Sequence, residues 1–219
     1  MERGLWSGSI SFGLVTIPVS VVSAENKQQE LDFDLIDRRD HAHVGYQKIN
    51  KNTGKPIESE DIVKGLKLET GKYALFEQDE LKHLRIKGTS TIEIQQFVTR
   101  VEITPIYFKK FYYLQPAKNG DKTYVLLRET LLKTETFAVG LIVLHNRQQL
   151  VAIGAMESAL ILHVLHYPAE IKKLSALGLP AAGLKSARLT AKEISMAEKL
   201  VGELTETWKP IEFKDTYFR

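Results

Sequence analysis

From its start to about Ile153 the chain is written in short runs that alternate apolar and polar residues, each bounded by glycine, proline, asparagine or charged residues. A period of two is the side-chain repeat of a half-buried strand. Leu31 to Ile36 alternates, Val44 to Ile49 partly alternates, and Lys72 to Phe76, Ser90 to Val98, Phe111 to Leu114, Thr123 to Leu127, Thr136 to Leu144 and Gln149 to Ile153 continue the series of strands. Short strands at such spacing predict a mainly β fold, a barrel or a sandwich. The first run carries an irregularity. Ile10, Phe12 and Leu14 alternate in one parity, and Val15, Ile17, Val19 and Val21 in the other. Such a slip turns the apolar set to the opposite face unless a bulge absorbs it, so the pattern predicts one strand, kinked near Gly13 and Pro18.

Helical signals are sparse before the C-terminus. Gln78 to Leu84 and Arg128 to Thr134 are short candidates, and Ile103 to Lys110 reads as a loop or single turn. Beyond Tyr167-Pro168 the composition shifts, and Ala176 to Gly183 reads as a linker, dividing the chain into 1–175 and 176–219. Thr190 and Glu193 then form a capping box, each satisfying a backbone donor near the other. Behind it Ile194, Ala197, Val201, Leu204 and Trp208 recur at alternating three- and four-residue spacings, a heptad seam. A helix packed on its own domain shows the same stripe, and so does one that meets a second copy of the chain. The letters reveal no internal repeat.

The 219 residues suffice to bury a core, and 43% hydrophobic with 26% charged residues fits a globular protein. No apolar run approaches the roughly 20 residues that span a bilayer, and the N-terminus lacks a secretory core, so a cytoplasmic location is expected. With no cysteine, thiol catalysis and cysteine-ligated metal sites are excluded. Glycine-rich phosphate loops, HExxH and nucleophile elbows are missing. His41 and His43 share a strand face but lack a third ligand beside them, and Glu58, Glu60 and Asp61 read as the acidic cap of a turn. His163 and His166 sit in apolar surroundings as structural histidines. No set carries a reaction, so neither a catalytic centre nor a cofactor or metal is expected.

The net charge of +3 is unevenly spread. Glu30, Asp32, Asp34 and Asp37 are followed by Arg38, Arg39, Lys48, Lys51 and Lys55 against Asp40 alone, with Lys64 and Lys67 beyond and Lys109-Lys110, Lys118 and Lys122 forming another group. Basic side chains on extended elements can track a phosphate backbone without reading bases. A solvated basic face looks the same on charge alone, and a β-barrel adaptor for an acidic protein partner is the rival reading. Tyr46 is the only aromatic inside the first basic window, which disfavours a stacking platform for single strands. Phe108, Phe111, Tyr112 and Tyr113 read as barrel core and rim.

Several motifs in order and spacing resemble the bacterial Ku family: Trp6-Ser-Gly-Ser-Ile-Ser-Phe-Gly-Leu-Val15 with Ile17-Pro18-Val19, Thr53-Gly54, Asp61-Ile-Val-Lys-Gly65, Tyr112-Tyr-Leu-Gln-Pro116, Tyr124-Val-Leu-Leu-Arg128, the run Leu160 to Glu170, Met196-Ala197 and Asp215-Thr-Tyr217. The resemblance covers nearly the whole chain. It implies a Ku-like β-barrel core with a long inserted bridge, lying within about 38–114, that closes a ring in the homodimer. It also implies a C-terminal helical arm packing on the other subunit. The implied function is non-enzymatic, sequence-independent binding of double-stranded DNA ends, protecting them and recruiting the ATP-dependent DNA ligase D in non-homologous end joining, in the cytoplasm with the nucleoid. Arg38, Arg39, Lys48, Lys51, Lys55, Lys64, Lys109, Lys133 and Arg147 are the expected DNA contacts, and Ile194, Ala197, Val201, Leu204 and Trp208 the expected dimer interface. Members of the family commonly continue beyond the position of Arg219 with residues, often lysine-rich, that contribute to ligase recruitment. This sequence ends there, the pattern of a shortened chain.

Overall fold

The computed structural model describes residues 4–25, 33–77, 90–144, 147–181, 183 and 189–213. It divides into two compact units, 1–171 and 172–219. The first contains a closed barrel of seven strands: β1 (Trp6–Phe12), β2 (Val15–Ser23), β5 (Thr91–Thr99), β6 (Phe108–Pro116), β7 (Thr136–Leu144), β8 (Arg147–Met156) and β9 (Ala159–Leu165). They run in the order β1-β2-β6-β9-β8-β7-β5 around the wall. Two further strands, β3 (Lys64–Lys67) and β4 (Tyr73–Phe76), form a separate hairpin.

The parity slip is a chain reversal rather than a kink in one strand. β1 and β2 pair antiparallel from Trp6↔Val21 to Phe12↔Val15, leaving Gly13 and Leu14 as a two-residue turn. Gly13 has φ +58°, which suits glycine at the first central position of a type II′ hairpin, and Leu14 stands fully in solvent. Reversing the strand through two residues changes the parity while keeping Ile10, Ile17, Val19 and Val21 in the core.

Every neighbouring pair around the barrel is antiparallel except β1 with β5, which pair in parallel over Ser9↔Thr91, Ile10↔Ile92 and Ser11↔Glu93. The chain leaves the wall after β2 and returns at β5 on the far side of β1, and everything between is inserted there. β5 and most of β6 fall inside the 38–114 window but are barrel staves, and the described residues between β2 and β5 are 24–25, 33–77 and 90. Close to the seam, β5 carries an extra residue between Ile94 and Gln96. Opposite that bulge a Cβ on Gly140 would lie 2.2 Å from the Glu93 carbonyl, so only glycine lets the strands approach there.

Inward-facing Ile10, Ile17, Val19, Val21, Ile92, Leu114, Ile142, Ile153, Leu160 and Leu162 fill the barrel, each 1% exposed or less. Of the four neighbouring aromatics in β6, only Tyr112 faces in; Phe111 and Tyr113 lie on the outer face, and Phe108 packs there with Phe137 and Val139. Helix α1 (Asp121–Thr134) completes the core with Tyr124, Leu127 and Leu131. Thr123 to Leu127 is thus helix, not strand. Those three apolar residues at helical spacing find a buried face, and tertiary packing overrides the local β preference of Tyr and Val.

Tyr124 also binds α1 into the sheet. Leu114 of β6 is opposite Leu160 of β9, and the buried Tyr124 hydroxyl sits between their backbones, donating to the Leu114 carbonyl at 2.7 Å and accepting from the Leu160 N–H at 2.8 Å. Burial pushes its pKa up and keeps the phenol neutral. Tyr124→Phe leaves two buried backbone groups to find new partners, so stability should fall by about 1–3 kcal/mol. The urea midpoint should drop while the slope of the transition stays as in the parent.

Candidate nucleic-acid interface

Beyond β2 the expected strands Leu31 to Ile36 and Val44 to Ile49 are not formed among the described residues; each contributes one isolated bridge residue. In their place are two loops of one construction. In the first, Val44 N–H donates to Leu35 O, and the bridge Ile36↔His43 lies inside that bond. Asp37 N–H then donates to Ala42 O and His41 N–H to Asp37 O, both at 2.8 Å. In the second, Ile57 N–H donates to Lys48 O, the bridge is Ile49↔Pro56, Asn50 N–H donates to Lys55 O and Gly54 N–H to Asn50 O.

Side chains complete both loops in the same way. Asp37 Oδ1 accepts from Arg39 N–H at 2.9 Å, and Asn50 Oδ1 from Asn52 N–H at 2.9 Å. Asp40 Oδ1 accepts from Ala42 N–H, and Thr53 Oγ1 from Lys55 N–H. The fifth residue is left-handed in each, His41 at φ 59° and Gly54 at φ 69°. This is an internal repeat that the letters hide. What recurs is an oxygen acceptor at the first and fourth positions and a residue tolerant of positive φ at the fifth.

Five of the nine expected DNA contacts lie on these loops. Arg38 and Arg39 are on the first, and Lys48, Lys51 and Lys55 on the second, all exposed. Arg39 is engaged locally: its Nη2 donates to Asp37 Oδ2 at 2.6 Å and its Nε to Oδ1 at 3.0 Å. The pair raises the Arg39 pKa and holds the Asp37 carboxyl below its usual range. Among the described residues no ion pair involves Arg38, Lys48, Lys51 or Lys55. Lys64 opens β3 in the separate hairpin.

The other three candidates lie elsewhere. Lys109 is the extra residue of a bulge in β6 and pairs with Glu170 at 3.9 Å. That carboxylate is held low first by the Tyr167 N–H, then by His166. Lys133 is in the last turn of α1, where a cation suits the helix dipole, and Arg147 begins β8.

The expected interface residues lie in the second unit. Helix α2 (Ala191–Leu204) starts at the anticipated capping box, with Thr190 Oγ1 accepting from Glu193 N–H and the Glu193 carboxylate accepting from Thr190. Ile194, Ala197 and Val201 line one shallow groove, and Leu204 is 81% exposed. Trp208 is not on this helix. The helix ends at Leu204, and the extended stretch before Pro210 leaves Trp208 stacked on Phe213 at 5.0 Å. The Gln78 to Leu84 helix lies outside the described residues.

One concave feature escaped the sequence reading. The outer barrel face holds a groove of about 640 Å³ lined by Phe111, Tyr113, Phe137, Met156, Ile161 and His163, with Arg100 among them. Arg100 donates from Nη2 to Ala155 O, and its buried Nε lacks a partner among the described residues. His163 packs between the Phe108 and Phe137 rings. Among the described residues no cluster of three or more His, Asp or Glu is arranged to hold a metal ion, and no helix is long and apolar enough to cross a membrane.

Residues 11–196 match the family model described as the Ku70/Ku80 beta-barrel domain. The chain belongs to the Ku family. Curated relatives carry the name non-homologous end joining protein Ku. That of Pseudomonas aeruginosa is 43% identical over 217 residues, 99% of this chain and 73% of the relative. That of Cupriavidus necator is 42% identical over 99% of this chain, which spans only 64% of the relative's length. That of Coxiella burnetii is 40% identical over 98% and 78%. The seven-stranded barrel is the part of this Ku chain that the family description names.

Burial, and then the nearby Arg100 cation, lowers the His163 pKa below its usual 6.5. The unfolded chain then binds a proton that the folded chain refuses, so the fold loses stability as pH falls through about 6.5. Thermal midpoints should therefore drop between pH 7.5 and 5.5, and His163→Phe should flatten that slope.

Proposed function

We propose that the chain is a non-enzymatic, sequence-independent binder of double-stranded DNA ends that acts as a ring-shaped homodimer threaded by the duplex. The observation that carries this reading is the pair of loops between β2 and β3, on which five exposed cations, one of them, Arg39, paired with Asp37, stand on backbone fixed by its own hydrogen bonds. Charges of this kind bind phosphates, which position a duplex without reading its sequence. The relatives' shared name points to the same setting, the joining of broken ends without homology. A closed ring admits only a free end, so topology supplies end recognition and the cations supply affinity. Bound at an end, the protein shields it, and recruitment of the ATP-dependent ligase D follows as the family partnership. Such a protein works at the nucleoid in the cytoplasm.

Two uncovered apolar surfaces favour a dimer. In the insertion Leu35, Tyr46, Leu66 and Leu75 are 58% to 89% exposed. In the second unit Val201, Leu204, Trp208, Ile211 and Phe213 are 66% to 83% exposed. Burial of apolar surface is worth roughly 25 cal/mol per Å², so a second copy that covers them is strongly favoured.

Linear and covalently closed circular duplexes of one sequence decide the ring: binding should be confined to the linear form, and equal binding to both sinks the reading. Affinity for the linear duplex should fall by about 10³–10⁵ between roughly 50 and 200 mM salt if about 6–10 phosphates are neutralised. Sedimentation of the full chain should show a dimer, and Val201→Glu should shift it toward monomer by setting a charge in the seam.

A further inference from the structure

We propose that the two loops are one phosphate-holding device used twice, with Arg38 and Lys51 as equivalent contacts and Asp37 and Asn50 as the residues that position them. The inference rests on the DNA-binding reading above and adds roles to residues that carry no positive charge. Arg38 and Lys51 each occupy the second position of their loop, directly after the acceptor residue. Both lie outside the hydrogen bonds that close the loops, and both are exposed.

The two acceptors explain a difference between the loops. An aspartate among cations that meet DNA would repel phosphate. In the first loop that charge is answered on the spot: Asp37 Oδ1 takes the Arg39 N–H and Nε, and Oδ2 takes Arg39 Nη2. In the second loop the same structural bond is made by Asn50, which is neutral, and the place of Arg39 is taken by Asn52. Asp37 comes with its own guanidinium, and Asn50 needs none; at the fourth position Asp40 keeps its charge where the second loop has Thr53. Arg39 is thereby assigned to the loop, and Arg38 to the ligand.

Bulk electrostatics and positioning predict opposite results for Asp37. Asp37→Ala removes a negative charge and frees Arg39, so charge alone would tighten binding. Positioning predicts that Asp37→Ala and Asn50→Ala each weaken binding of a fluorescein-labelled linear duplex about fivefold, the equivalent of one ordering hydrogen bond. Asp37→Asn, which keeps the acceptor, should restore at least the parent affinity. Arg38→Gln and Lys51→Gln break no loop bond and should each reduce the log–log salt slope by about one. Parent-like or tighter binding by Asp37→Ala, or an unchanged salt slope in either glutamine variant, overturns the inference. Failure of the unaltered protein to bind the linear duplex overturns the functional reading instead. Should Asp37→Ala not fold, the two glutamine variants and Asn50→Ala still decide.

Discussion

The short parallel seam between β1 and β5 is the constraint on which the first unit depends. Three residue pairs close the barrel, and the chain reaches them only after leaving the wall at the end of β2 and returning on the far side of β1. The basic loops and the β3–β4 hairpin belong to that excursion. The insertion that carries the cations thus departs from one neighbour of β1 and returns as the other. The seam itself is thin, and it is supported by Ser9 N–H donating to Ser90 O and by contact between the Ser9 and Thr91 hydroxyls. It also needs the tight approach of β5 to β7 that Gly140 permits.

Several elements with a buried face were announced by the sequence, although β9, buried along most of its length, was not among the strands it indicated. β5, β7 and β8 coincide with alternating or near-continuous apolar runs, and the α2 capping box is satisfied as its letters require. The failures have physical causes. The parity slip at Leu14 and Val15 was compatible with a bulge or a reversal, and period-two reasoning cannot choose between them; a glycine at φ +58° chose the turn. Tyr124, Leu127 and Leu131 form a stripe too short to outweigh the local alternation until the barrel supplies something to pack against. Trp208 continued a spacing that the chain does not continue, because extended residues ahead of Pro210 end the helix first.

The candidate site was legible as a cluster of charges and illegible as an arrangement. Arg38 and Lys51 look alike in any count of basic residues. Their equivalence appears only when the bonds of Asp37 and Asn50, Asp40 and Thr53, and His41 and Gly54 are compared. Conversely, Lys109 reads as a free cation in sequence, while in space it faces Glu170 and belongs to the support of the turn after β9. The groove around Arg100 leaves no mark in the sequence because its residues come from separate stretches of chain.

The construction of the two loops separates what holds a shape from what that shape displays. Every bond that closes them involves backbone or the first and fourth side chains, and neither loop has a buried side chain beneath it. A segment stiffened this way owes nothing to a hydrophobic core. Its second position can be exchanged freely, so a lineage could retune charge, reach or hydrogen-bonding pattern there at almost no cost to folding.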